Sequence, residues 1–155
     1  YYVLDIARFK TGDPSMYYEQ LLQLHNKWGF YQVTAETTGA QEYIVNDLKI
    51  NYIRPNGLGL TIKPFKPSRY MGAKEERIFA TLKPRYDNGQ MWHYLGGNCQ
   101  ILEDELVLRR PPHDDVKDAL TTAILSAVAP IDMRNHNVNT TEFEEHTHRR
   151  FGGIS

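Results

Sequence analysis

Three carboxylates crowd the stretch HDDVKDAL: Asp114, Asp115 and Asp118. A helical pattern runs on from them through Val116, Leu120, Ala123, Ile124 and Ala127. On that helix Asp115 and Asp118 stand three apart and share a face. They can approach one divalent cation together, and they repel each other without one. The structural alternative is a helix start whose acids cap free amides and complement the dipole. Three acids within five residues exceed what capping needs. A fourth carboxylate, Glu36, closes FYQVTAE, in which Tyr31, Val33 and Ala35 alternate with Gln32, Thr34 and Glu36. That pattern predicts a strand with Glu36 at its carboxyl end, where α/β folds collect their ligands. An exposed strand-end Glu is the plain alternative, and Glu36 gains weight if the fold carries it to the Asp cluster.

Charge along the chain supports a polyanionic substrate. The formal net charge is only −1, but residues 49 to 85 hold nine Lys and Arg against Glu75 and Glu76. Residues 86 to 118 reverse the balance, with three basic residues against seven acidic ones. Phosphates need cations and metal ions need carboxylates, so a basic segment beside an acidic cluster suits an enzyme that cuts nucleic acid. Ordinary surface charge scatter is the competing reading. Lys74 and Arg77 fall on one predicted helix of the basic segment, with Lys66 and Arg69 ahead of it, where solvated helix charges are the plain reading. Arg109 and Arg110 could touch phosphate or balance the acids that follow.

Other chemistries find less support. The chain has neither G-x-x-x-x-G-K-[ST] nor G-x-G-x-x-G, the loops that cradle nucleotide phosphates. His113, His146 and His148 lack zinc spacing with a cysteine pair. The lone Cys99 excludes an internal disulfide and reads as a small buried residue. No apolar run approaches the ~20 residues that span a bilayer, so a soluble protein without a membrane partner is expected.

The 155 residues suit one domain. YYVLDIARF predicts a strand from residue 1. Asp13-Pro14 opens a helix that Gly29 stops. The strand ending at Glu36 feeds a second helix through Ile44 and Leu48, and GLTIKPF reads as the next strand. AKEERIFATLKP predicts a helix ending before Pro84. Asp87-Asn88-Gly89, between Tyr86 and the run Met91, Trp92, Tyr94, predicts a β-hairpin. CQILEDELVL is a further helix, and the last one packs its stripe on the sheet. Alternating strands and helices mark an α/β layered fold. From Pro130 the sequence loses periodicity and reads as a tail.

HDDVKDALTTAI resembles the closing signature of the nuclease domain of tailed-bacteriophage terminase large subunits, and its spacing is also similar to that of RuvC-type resolvases. The strand ending VTAETTG, the helix KEERIFATLKP and the segment NGQMWH follow in the family's order over about residues 1 to 130. The resemblance implies an α/β, ribonuclease H-like three-layer fold: a central mixed sheet flanked by helices, with an added β-hairpin. It assigns 1–130 to the nuclease domain and 131–155 to a C-terminal tail. It implies two further strands ahead of Tyr1, the first carrying a catalytic Asp. It makes Glu36, Asp115 and Asp118 catalytic, with Asp114 a further metal ligand, Lys66, Arg69, Lys74 and Arg77 DNA contacts, and Mg²⁺ or Mn²⁺ in a two-metal site as cofactor. The implied activity is cutting concatemeric double-stranded DNA during packaging in the host cytoplasm. The implied partners are DNA, an ATPase domain of the full-length protein, a small terminase subunit and a portal. The alternatives are a RuvC-like junction resolvase or transposase, and a non-catalytic nucleic-acid or capsid-binding module.

Overall fold

The structure, a computed structural model, describes residues 1–67, 72–108 and 111–128. Arg69, Arg109, Arg110 and the tail 131–155 lie outside the described residues. The chain is mixed α/β with small parallel sheets. In order it forms β1 (Tyr2–Val3), α1 (Pro14–Trp28), β2 (Gln32–Glu36), α2 (Ala40–Asp47), a π-helical turn (Leu48–Ile53), β3 (Thr61–Phe65) and α3 (Lys74–Asp87). Then come β4 (Trp92–His93), a 3-10 turn (Gly97–Cys99), α4 (Gln100–Val107) and α5 (Asp115–Ser126).

Local chemistry sets the α1 boundaries as expected. Asp13 accepts a bond from the Ser15 amide at 2.9 Å, and Pro14 takes the first helical position, where a missing N–H costs nothing. Gly29 closes the helix at φ 64°, a left-handed conformation suited to glycine, and its N–H reaches the His25 carbonyl at 2.7 Å.

β2 and β3 pair in parallel, Gln32 opposite Thr61 through Glu36 opposite Phe65. The Thr61 amide donates to the Tyr31 carbonyl and the Thr37 amide to the Phe65 carbonyl. In a parallel ladder this phase turns the backbone groups of residues 31, 33, 35 and 37 toward β3. Those of Gln32, Thr34 and Glu36 face the opposite edge. On β3 the outward positions are Ile62 and Pro64, so the proline costs no bond and blunts the outer edge. Val45, Leu48, Ile53, Leu60 and Ile62 form the core beneath this pair. A second core joins Ile78, Leu82, Met91 and Ile124 under β1 and β4.

Several expectations are corrected. The described strands make two separate parallel pairs, β2 with β3 and β1 with β4, where one central mixed sheet was expected. Of YYVLDIARF only Tyr2 and Val3 join a ladder. Side-chain bonds tie the next residues instead: Asp5 accepts from Lys27 at 2.7 Å, Asn98 at 2.8 Å and the Trp28 indole at 3.2 Å. The hairpin at Asp87-Asn88-Gly89 does not form. Tyr86 and Asp87 complete α3, Asn88 caps it, and Trp92–His93 run parallel to Tyr2–Val3. α3 therefore continues past Pro84. Tyr86 packs on the second core, and that burial holds the last turn across the bond Pro84 cannot donate. The α5 stripe is split as well. Val116 and Ile124 are buried, Leu120 is half-buried, and Ala123 and Ala127 are exposed.

Candidate functional site

α5 lies against α3, α4 and β2, and the sequence-predicted acids stand in its first turn and at its cap position. Its first turn does not use them as caps. Asp114 occupies the cap position, yet its side chain makes no cap bond. The free amides of Val116 and Lys117 instead donate to Glu105 Oε2, at 3.0 and 2.9 Å, from α4. Glu105 is 4% exposed, and its Oε1 has no partner among the described residues.

The aspartates face basic residues. Arg77 Nη2 on α3 donates to Asp118 Oδ1 at 2.7 Å, and Lys74 Nζ sits 2.9 Å from Asp114 Oδ1 and 3.3 Å from Asp118 Oδ2. The Lys74 hydrogen bond holds the Asp114 carboxyl below its ordinary range, against a smaller opposing effect of burial. For Lys74, burial favours the neutral amine, but the bonds and charges of Asp114 and Asp118 together outweigh it and raise its pKa. Asp115 stands apart: its side chain is 69% exposed and among the described residues reaches only Arg8, at 3.6 Å. Glu36 is half-buried at the end of β2, next to Thr37, whose buried hydroxyl has no partner among the described residues. Lys66 pairs loosely with Glu42 at 3.6 Å on the surface.

Among the described residues, no three His, Cys, Asp or Glu side chains come together to hold an ion. Lys74 supplies the cation between Asp114 and Asp118, and Arg77 occupies the other oxygen of Asp118. These side chains do not fit a two-metal centre by themselves. Lys74, Arg77, Asp114 and Asp118 form a compact acid–base cluster, and Asp115 stands outside it, facing solvent.

Beside Asp115 opens a large cleft, about 1480 Å³, walled by residues 1 to 10, the inner faces of α1 and α5, and Phe30. Its walls are mostly apolar, with Arg8, His113 and Asp115 among the few polar groups. Ala119 and Ala123 of α5 line this opening.

Sequence reasoning missed Glu105 and Arg8. A signal existed for Glu105: it stands three after Leu102, so an acid occupies the face of α4 that Leu102 buries completely. Arg8 carried no such signal, because its partner is distant in sequence. No protein-family model, curated protein or solved structure matches this chain. Among the described residues no helix is long and apolar enough to cross a membrane.

Proposed function

We propose that the chain is the nuclease domain of a phage-type DNA-packaging terminase, with a ribonuclease H-like fold, acting on double-stranded DNA. One observation carries the reading. The acids that open α5 are released from capping by Glu105, and they cluster on a helix packed against the strand that Glu36 ends. Side-chain capping was one structural account of that acidic run, and Asp114, in the cap position, makes no such bond. Asp115, exposed beside a cleft, is the residue best placed to meet a substrate, and Glu36 is its proposed companion. Mg²⁺ or Mn²⁺ would require a further carboxylate ligand beside these. Asp118 and Asp114 then serve mainly to hold Lys74 and Arg77 in place. Lys66, Lys74 and Arg69 are the proposed phosphate contacts.

The test is cleavage of plasmid DNA by the full-length protein with and without Mn²⁺. Asp115→Ala and Glu36→Ala should each abolish metal-dependent cleavage while leaving the circular dichroism spectrum unchanged. Full cleavage in both variants would overturn the assignment. A preference for four-way junctions over linear duplex would move the protein to the resolvase class.

A second reading is favoured by the ion pairs themselves. Arg77, Lys74, Asp114 and Asp118 neutralise one another, as in a non-catalytic nucleic-acid or capsid-binding module whose acids only join two helices. Salt-sensitive DNA binding with no calorimetric response to Mn²⁺ would identify that case.

A further inference from the structure

We propose that Glu105 is the positioning residue for the α5 carboxylates, which rests on the reading of Asp115 as a working group. The first four amides of a helix have no partner within it, and a side chain from the same chain segment usually satisfies them. Here the acceptor comes from another helix. Glu105 Oε2 takes both the Val116 and the Lys117 amide, at 3.0 and 2.9 Å, although Asp114 is at hand in the cap position.

The choice of acceptor has a geometric consequence. A carboxylate at the positive end of α5 makes charge-assisted bonds, which are short and directional. Two such bonds to one oxygen fix where α5 begins relative to α4. Leu102, on the same face of α4 as Glu105, is 0% exposed and fixes α4 in turn. Asp115 and Asp114 directly precede the bonded amides, so Glu105 sets where both carboxylates stand. It also leaves Asp114 free to hold Lys74 at 2.9 Å. Glu105 touches no reacting group. It acts through the helix it holds.

The replacements differ in what they keep. Gln retains an oxygen that can accept from the same two amides at nearly the same volume. Leu retains the volume and removes the acceptor, leaving the buried Val116 amide and the part-buried Lys117 amide without a partner. The experiment compares Glu105→Gln and Glu105→Leu in the full-length protein, at a temperature where both stay folded by circular dichroism. Amide hydrogen exchange at Val116 and Lys117 is measured beside kcat and KM for Mn²⁺-dependent DNA cleavage. Glu105→Leu should speed exchange at these two amides at least about tenfold, the loss of a charge-assisted bond, and lower kcat with KM unchanged. Glu105→Gln should restore most of both.

Exchange at Val116 and Lys117 unchanged in Glu105→Leu overturns the proposal. So does a Glu105→Gln variant as impaired as Glu105→Leu. If Glu105→Leu does not fold, Glu105→Asp takes its place: the carboxylate drawn back by one methylene should speed the same exchange, and no change there overturns the proposal. A wild-type protein that cuts no DNA defeats the nuclease reading alone, because the exchange measurement still decides what Glu105 does.

Discussion

Arg77 of α3 meets Asp118 of α5 at 2.7 Å, with side chains only 8% and 13% exposed. The contact joins two helices whose remaining interface includes Ile78, Leu82 and Ile124. Burying both charges is costly, and Lys74 at 3.3 Å adds a second cation to Asp118. Removing one partner leaves the other buried and uncompensated. Arg77→Ala should therefore lower unfolding free energy by about 3 kcal/mol, the lower end for a broken buried pair because Lys74 remains. Urea unfolding measures it. A double-mutant cycle with Asp118→Ala should show strong coupling, and additive losses would remove the pair from the account.

Lys74 shares its ammonium between Asp114 and Asp118, and Asp114 is held below the ordinary carboxyl range chiefly by that bond. Lys74→Ala should let the Asp114 titration move upward toward an ordinary aspartate. Carboxyl carbon chemical shifts followed against pH report it directly. An Asp114 titration indifferent to Lys74 would show that another group holds it.

Asp5 ties the residues after β1 to α1 and to Asn98. Its carboxyl is held far below the usual range, first by Lys27, then by Asn98, with a smaller contribution from Trp28. The folded pKa is depressed, so the stabilisation is complete above the unfolded value near ~4 and is lost as pH falls below it. Asp5→Asn should destabilise the protein by about 1–3 kcal/mol at pH 7, the usual loss for a bond to a charged group. The difference from wild type should shrink as the pH falls below about 4, where the unfolded carboxyl takes up its proton first. Thermal unfolding at a series of pH values checks both the size and the direction.

The phase of the β2–β3 ladder yields a prediction without any mutation. Amides of Val33, Ala35 and Thr37 point into the ladder, and those of Gln32, Thr34 and Glu36 point to the other edge. Hydrogen exchange should alternate along β2, slow at the first set and fast at the second. Uniform protection would mean that something else pairs with that edge in solution. Pro64→Thr should leave the slow set unchanged, because position 64 faces away from β2.

The elements that local chemistry governs were legible. Asp13-Pro14 and Gly29 bound α1 because a cap, a first-turn proline and a left-handed glycine act within a few residues. β2 ended at Glu36, and α5 began at Asp115, as their patterns required. Local signals failed where they were ambiguous. Asp87-Asn88-Gly89 can close a hairpin or end a helix, and packing of Tyr86 on the second core chose the helix.

By itself, the sequence determined that Asp114, Asp115 and Asp118 would share the start of one helix, and that Glu36 would end a strand. It left open what those acids do there. Only the tertiary structure decided that Glu105 would cap α5, that Lys74 and Arg77 would neutralise Asp114 and Asp118, and that Asp115 would stay exposed. The reason is distance along the chain. Lys74 and Asp114 are 40 residues apart, Arg77 and Asp118 41. Such pairs exist only once burial has set α3, α4 and α5 against one another, because no local propensity encodes the distance between two helices.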